Sequence, residues 1–161
     1  MAWTKNSIIV NLPPSRVFAY VNDPNNLPDW MPGMIEVRNL SGFGEGQQYD
    51  WTYKMLGFRF RGQSVVVEYE PGTRAVHQSI GMISSDWTIT VEPHEEGTKL
   101  TTEAEYSIPV VVLGKLAENI AARWNDRDMQ AALLNVKEMM ENRHDPAGLG
   151  SDEHTRDRRG V

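Results

Sequence analysis

The order of structural elements in this chain is decided at residues 11–34, which read NLPPSRVFAYVNDPNNLPDWMPGM. Near its start, this stretch has two prolines that terminate a strand predicted over residues 3–12, because proline has no N–H to donate to a sheet. Apolar residues at helical spacing then predict a short helix over residues 14–21, whose first turn tolerates proline. The Asp-Pro-Asn-Asn sequence at 23–26 breaks this helix, and the proline-bounded residues 27–33 form a second short helical or turn segment.

From residue 34 onward, the hydrophobic pattern has a period of two, which is typical of half-buried strands. The clearest example is YDWTYKM at residues 49–55, where large apolar side chains alternate with polar ones. Short turns containing glycine or proline separate the strands and favour antiparallel pairing. After the first strand, six more are predicted, over residues 34–38, 49–55, 58–69, 76–80, 87–91 and 100–108.

A long helix is predicted after the sheet, over residues 113–141, because this segment is rich in helix-forming residues and has no interior proline. Its length of about 43 Å would let it cross an entire sheet. Projection at 100° per residue places five residues of interest on its apolar face: Ala117, Ala121, Trp124, Asn125 and Asp128. Residues 142–161 combine mixed charge with no aromatic residue, so we expect a disordered tail after one domain at residues 1–141.

Three stretches of the chain resemble the START-like, Bet v 1-like (SRPBCC) superfamily, in its polyketide cyclase/dehydrase and lipid-transport branch. They are the segment at 11–34, the glycine-rich SGFGEGQQYDW at 41–51, and YSIPVVVLGKLAENIAARWNDRDMQAALLNVKEMME at 106–141. The resemblance implies an α+β helix-grip fold, in which a seven-stranded antiparallel curved sheet wraps around a long C-terminal helix, with two short helices after strand 1. It also implies a hydrophobic cavity between sheet and helix. Because the superfamily includes carriers, hormone receptors, cyclases and dioxygenase parts, the resemblance does not fix the activity.

Large amphipathic side chains dominate the predicted inner faces, and the helix face opposite them begins with the small residues Ala117 and Ala121. Small residues leave room that leucine would fill in a solid core, so one interpretation is a cavity that binds a hydrophobic ligand. A fully packed core is the alternative. Trp30, Met31 and Met34 would be apolar gate residues at one mouth of the cavity. The predicted ligand-binding residues are Trp30, Met34, Trp51, Tyr53, Met55, Phe60, Tyr69, Gln78, Trp87, Tyr106, Ala121, Trp124, Asn125 and Asp128.

Polar residues among these candidates could support acid–base chemistry. Asn125 and Asp128 are three residues apart, so they would be neighbours on the inward face of the helix. Burial would raise the pKa of the Asp128 carboxyl and suit it to general acid or base catalysis. Exposure to solvent, or pairing with an arginine, is the alternative. Gln78 is in phase with the apolar residues of its strand and is expected to reach the cavity, whereas His77 is out of phase.

Composition and motifs exclude several classes of function. The 161-residue chain has no cysteine, which rules out disulfides, iron–sulfur clusters and thiolate zinc sites. Its four histidines lack metal-ligand spacing, and it has neither a nucleophile elbow nor a phosphate-binding loop, so we expect no metal and no cofactor. A net charge of −6 argues against nucleic acid as a partner. Without a membrane-spanning apolar run or a secretory signal, the expected location is the cytoplasm, with no stable membrane insertion.

Three hypotheses about function follow from these patterns. The first is a carrier or sensor that binds a hydrophobic small molecule, such as a lipid, a quinone or a polyketide-like compound. The alternative is a polyketide cyclase, aromatase or dehydratase that uses acid–base residues in the same cavity. The third is an interaction or assembly module without a ligand, which a solid core would support. No feature of the sequence specifies an oligomeric state.

Overall fold

The computed structural model describes residues 2–55, 57–107, 114 and 126–144 of the chain. The strands and the first helix lie where the sequence predicts them, while the 3-10 turn is an addition. In chain order the elements are β1 (Ala2–Val10), α1 (Pro14–Val21), the 3-10 turn (Pro24–Asn26), α2 (Leu27–Trp30), β2 (Met34–Ser41), β3 (Gln48–Met55), β4 (Phe58–Glu70), β5 (Arg74–Gly81), β6 (Ser84–His94), β7 (Gly97–Ser107) and α3 (Asp126–His144).

The seven strands form one antiparallel, curved sheet in the order β1-β7-β6-β5-β4-β3-β2. Strands β2 to β7 follow one another as hairpins, and β1 pairs with β7 at the far edge, from Ala2 opposite Tyr106 to Val10 opposite Thr98. The segment with α1 and α2 connects the two edge strands: α1 contacts β6 and β7, and α2 contacts β2. Helix α3 packs on β1 and on α2. This arrangement confirms the predicted helix-grip fold.

The core lies between the helices and the inner face of the sheet, the face that the helices cover. Alternation along β6 and β7 directs one set of side chains inward, and these are buried: Trp87, Ile89, Val91, Leu100, Ala104 and Tyr106. Helix α3 contributes a buried stripe at helical spacing: Met129, Ala132, Leu133, Val136 and Met140. Burial of this apolar surface, at roughly 25 cal/mol per Å², is the main stabilising contribution to the fold.

The buried stripe of α3 differs from the predicted apolar face at one margin. Asp128, predicted to lie on the apolar face, is exposed, whereas Leu133 is buried. Two polar contacts anchor α3 to β1 and α2. Lys137 donates its Nζ to the carbonyl of Ile9 at 2.7 Å, and Asn135 donates its Nδ2 to the carbonyl of Trp30 at 3.1 Å.

The ends of the predicted C-terminal helix also differ from the structure. Gly114, within the predicted helix, lies in a turn with a φ of 57°. At the other end, α3 continues to His144, past the residue 142 at which the tail was expected to begin. Residues 115–125 and the rest of the predicted tail, 145–161, lie outside the described residues. No helix in the part of the chain that the structure describes is long and apolar enough to cross a membrane.

Strand β5 presents its side chains to faces opposite to the predicted ones. Gln78 is exposed, and its Nε2 donates to Oδ1 of Asp86 on β6 at 3.2 Å. Ile80, predicted to share the inner face with Gln78, is 60% exposed. His77 is buried, although the sequence pattern places it out of phase. The prediction that Gln78 reaches the cavity is therefore wrong.

This error in β5 has a physical cause. Ala75 and Val76 are both buried, so burial does not alternate where the strand begins. The position of Val76 therefore does not indicate which later residues of β5 lie on the inner face. The neighbouring strand carries a register shift between Val66 and Glu68 at the same level. Because successive side chains point to opposite faces, an error of one residue in phase inverts the assignment of every later residue.

Candidate functional site

A cavity of about 60 Å³ lies between the inner face of the sheet and the segment that contains α1, the 3-10 turn and α2. Apolar side chains form much of its wall, among them Val21, Leu27, Met31, Ile83 and Ile89. Within the described residues, no charged side chain lines this cavity. It therefore has the concave, apolar character of a small-molecule site.

Aromatic side chains also contribute to the wall. Five predicted site residues line the cavity: Trp30, Met34, Trp51, Tyr53 and Trp87. Trp30 is the last residue of α2, and Trp51 lies in the middle of β3. The indole of Trp51 lies against Gly62, its partner on β4. A Cβ at Gly62 would come within 2.3 Å of a carbon of the indole ring, so only glycine leaves room for this ring position.

A second, smaller cleft of about 10 Å³ adjoins this cavity and shares part of its wall. Helix α3 contributes Asp128, Met129 and Ala132 to it. Asp128 therefore lies at the margin of the site, but it is exposed rather than buried as predicted. Burial, together with the negative charge of Asp128, raises the pKa of Tyr106 to about 12.

Four further predicted site residues do not line the larger cavity. Phe60 and Tyr106 are buried in the core, and Met55 and Tyr69 are half-buried. Tyr69 packs its ring edge-on against Phe18 of α1, with the ring centroids 5.5 Å apart. Phe60 and Tyr106 belong to the hydrophobic core, and Met55 and Tyr69 pack against it.

The remaining predicted site residues are Gln78 and three residues of the predicted C-terminal helix. Gln78 faces solvent on the outer side of the sheet, as described above. Ala121, Trp124 and Asn125 lie outside the described residues. The pairing of Asn125 with Asp128 on one helix face thus stays a prediction.

The most polar part of the cavity wall is centred on His77 of β5. Its Nε2 is 3.0 Å from Oδ1 of Asn22, and its Nδ1 is 3.1 Å from the hydroxyl of Tyr49. Asn22 follows α1 and donates its Nδ2 to the carbonyl of Phe18 at 3.1 Å, so its Oδ1 faces His77 as an acceptor. Nε2 of His77 therefore carries the proton, and Nδ1 accepts a hydrogen bond from Tyr49.

Two serines extend this hydrogen-bond chain along the wall. A hydrogen bond links the side chains of Ser64 and Tyr49. The Oγ atoms of Ser64 and Ser79 are 2.5 Å apart. Either of these two hydroxyls can be the donor. Together with His77, these side chains form a hydrogen-bonded chain between Ser79 and Asn22.

Burial keeps this hydrogen-bond chain uncharged. It lowers the pKa of His77 to about 4. It raises the pKa of Tyr49 to about 12, against the opposing effect of the hydrogen bond from Ser64. At pH 7 both groups are neutral, and each already donates its proton in a hydrogen bond. The arrangement is suited to holding these side chains in place rather than to proton transfer. Among the described residues, no three histidine or carboxylate side chains are grouped so that they could hold a metal ion.

The sequence contains a weak signal for His77 and none for its partners. A histidine next to two small or apolar residues in a predicted strand is compatible with burial. Tyr49 and Asn22, however, are 28 and 55 residues away from His77 along the chain. Contacts of this kind depend on the exact pairing of β3, β4 and β5 and on where α1 ends.

The fold and the cavity together define a class of protein: a helix-grip domain in which a curved antiparallel sheet and its helices enclose an apolar space. The chain belongs to the family described as polyketide cyclase / dehydrase and lipid transport, which matches residues 1–141. This confirms the resemblance noted from the sequence. A comparison with curated proteins finds no match.

Several solved structures share this fold at low sequence identity. The Zhui aromatase/cyclase from Streptomyces sp. R1128 has a TM-score of 0.72 and 14% identity, over 91% of this chain and 97% of its own. A START superfamily protein from Mycobacterium smegmatis has a TM-score of 0.70 and 12% identity, over 88% and 99% of the two chains. A protein from Thermus thermophilus has a TM-score of 0.71 and 17% identity, over 88% and 98%. These likenesses establish the fold alone.

Proposed function

We propose that this protein binds a hydrophobic small molecule in the larger cavity, as a carrier or sensor. The observation that carries the proposal is the cavity itself, which is apolar, partly aromatic and free of charged side chains among the described residues. The family description includes lipid transport, which supports the same function. An assembly module without a ligand would have no need of this space, because a filled core is more stable.

The present volume of the cavity implies that binding moves part of its wall. Its volume of about 60 Å³ corresponds to roughly two water molecules, whereas ligand sites span roughly 300–1,000 Å³. Met31 and Met34 line the cavity on either side of the turn between α2 and β2. Their unbranched side chains change rotamer easily, so they are suited to act as the gate.

The turn after α2 has a fixed end about which this gate can move. Gly33 accepts a hydrogen bond from the N–H of Lys54 at 2.7 Å. Its φ is 90°, and a Cβ there would lie 2.7 Å from the carbonyl oxygen of Lys54 and 2.8 Å from the ring of Tyr53. Glycine is thus required for this close approach to β3. In this proposal, α2 moves away from the sheet while Gly33 stays paired with β3.

A second candidate function is that of a polyketide cyclase, aromatase or dehydratase. The family description favours it, and so does the named activity of the Zhui aromatase/cyclase. Asp128 at the smaller cleft is the described carboxylate nearest to such chemistry. Asp128 is exposed, and His77 and Tyr49 already donate their protons in hydrogen bonds. Binding is therefore better supported than catalysis.

A matched pair of substitutions tests the proposed binding function. Ile83 is buried and lines the cavity, whereas Ile80 on the outer side of the sheet is 60% exposed. Ile83→Phe should fill the cavity and weaken binding of the fluorescent apolar probe N-phenyl-1-naphthylamine by about tenfold or more, while Ile80→Phe should bind it as the unaltered protein does. Native mass spectrometry of the gently purified protein should show a bound compound that Ile83→Phe lacks.

Equal binding by the two variants would contradict the proposal. The enzyme alternative has a separate test with a linear poly-β-keto thioester. Turnover of this substrate by the unaltered protein, lost in Asp128→Asn while probe binding persists, would make the catalytic function the correct one. Absence of turnover, with normal binding, supports the carrier or sensor.

A further inference from the structure

The hairpin of β3 and β4 concentrates positive charge on the outer side of the sheet, the face that the helices leave uncovered. Lys54 lies directly opposite Arg59, and Arg61 follows two residues later on β4. Because alternate side chains share one face of a strand, these three project to the same side, and all three are exposed. The chain as a whole has a net charge of −6, so this basic cluster runs against the average.

The basic cluster has no carboxylate partner among the residues that the structure describes. Two carboxylates on neighbouring strands are already in other contacts: Glu36 pairs with Arg38 at 3.1 Å, and Asp50 accepts from Nδ2 of Asn39 at 2.8 Å. Like charges directly opposite each other on paired strands destabilise a sheet. The two cations that face each other across β3 and β4 therefore indicate an anionic partner that offsets their repulsion.

Exposed apolar side chains lie next to the basic cluster at this end of the sheet. Phe58 is 54% exposed at the tip of the hairpin, opposite Met55. Met82 lies in the turn between β5 and β6, is 37% exposed, and donates its N–H to the carbonyl of Arg61 at 3.3 Å. An apolar tip bordered by cations is the combination that binds the interface of an anionic membrane, because buried apolar area and charge both contribute there.

The same end of the sheet carries the proposed gate. Lys54 donates its N–H to the carbonyl of Gly33 in the turn after α2. Met82 is followed directly by Ile83, which lines the larger cavity. A bilayer held against this end would bring the gate to the place where apolar molecules are dissolved in lipid.

We infer that this end of the sheet docks reversibly on an anionic lipid bilayer, with Phe58 and Met82 in the interface and the basic cluster against lipid phosphates. The inference goes beyond the proposed binding function, because docking needs no guest in the cavity. Acidic residues elsewhere on the chain do not prevent it, since at physiological ionic strength charges more than about 8 Å away are largely screened. A projecting apolar tip favours a fluid lipid interface over an acidic protein surface.

Co-sedimentation of the full-length protein with vesicles tests the docking surface. Vesicles of phosphatidylcholine and phosphatidylglycerol in equal parts are anionic, and vesicles of phosphatidylcholine alone are the neutral comparison. The protein should bind the anionic vesicles more tightly, and this binding should weaken as the ionic strength rises. Each cation near an anionic surface contributes about fivefold in affinity, so Arg59→Gln combined with Arg61→Gln should weaken binding by about tenfold or more.

Matched variants separate this surface from the rest of the molecule. Lys5 and Lys99 are exposed on β1 and β7 at the other edge of the sheet, so Lys5→Gln combined with Lys99→Gln makes the same change in charge and should bind as the unaltered protein does. Phe58→Ser should weaken binding by about fivefold or more. Phe43→Ser should not, because Phe43 is 82% exposed in the turn between β2 and β3, at the opposite end of β3.

Equal binding of the two kinds of vesicle, or equal losses in the two double variants, would overturn the inference. Absence of binding to the anionic vesicles would also overturn it, and binding of poly-L-glutamate through the same two arginines would then make an acidic protein the partner. All these outcomes leave the proposed binding function intact, because a soluble probe measures that function.

Discussion

The buried imidazole of His77 makes the stability of this fold depend on pH below neutrality. In the folded chain, burial lowers the pKa of His77 from 6.5 to about 4. Between these two values the unfolded chain binds a proton that the folded chain does not. The stability that neutral His77 provides is therefore fully present above about pH 6.5 and declines as the pH falls toward 4.

The size of this effect follows from the two pKa values. Lowering the pKa from 6.5 to about 4 corresponds to about 3 kcal/mol of unfolding free energy, lost over that interval. Domains are commonly stable by only ~5–15 kcal/mol, so the loss is a large fraction of the total. The variant His77→Gln has no titrating group at this position and should not show the loss. At pH 7 it should be less stable by ~1–2 kcal/mol, because one amide cannot pair with both Asn22 and Tyr49 in the same geometry.

Urea unfolding, followed by tryptophan fluorescence between about pH 7.5 and pH 4.5, measures this dependence. The curve of stability against pH should be flatter for His77→Gln than for the unaltered protein. His94 is exposed in the hairpin between β6 and β7, so His94→Gln is the matched control and should follow the unaltered protein. Parallel curves for His77→Gln and the unaltered protein would refute the buried, neutral His77 and the hydrogen-bond directions that depend on it.

Two other substitutions test the packing of the sheet and of α3. Gly62→Ala should lower the unfolding free energy by ~1–3 kcal/mol and displace the indole of Trp51, because the added Cβ would lie 2.3 Å from its ring. Thermal unfolding measures the change in stability, and a crystal structure measures the displacement. An unchanged Tm would contradict the prediction. Glu141 accepts hydrogen bonds from Lys137 at 2.7 Å and from the N–H of Asn11 at 2.9 Å, which hold its pKa below the usual range. Glu141→Gln should cost ~0.5–1 kcal/mol at pH 7. The difference in urea stability should vanish as the pH falls through the folded-state pKa of Glu141, and a difference that persists at low pH would show that the ionised carboxylate is not its source.

The sequence predicts the positions of the strands and of α1 well because local patterns determine them. Proline positions set the bounds of α1, and the alternation at residues 49–55 requires one buried face whatever surrounds it. The same local reasoning places Trp51 and Tyr53 on the cavity wall, where the structure has them. Binary patterns of this kind depend on few distant contacts, so one sequence suffices to read them.

The parts of the site that sequence reasoning misses depend on distant contacts. Gln78 is exposed because burial does not alternate where β5 begins. Asp128 is exposed because of the way α3 packs on β1. The link between His77 and Asn22 joins a strand to the end of α1 across 55 residues. Each of these features depends on a strand register or on the orientation of a helix. A single sequence is compatible with several registers and orientations, so it does not determine them.

Xenon binding tests the central claim, an apolar cavity that admits a guest, most directly. Xenon occupies dry apolar cavities in proteins, and the space of about 60 Å³ is suited to a probe of atomic size. Crystals of the full-length protein pressurised with xenon should show a xenon atom in contact with Trp30, Trp51 and Ile89, and this site should be empty in Ile83→Phe. A cavity that stays filled by side chains or by ordered water under xenon pressure would contradict the account.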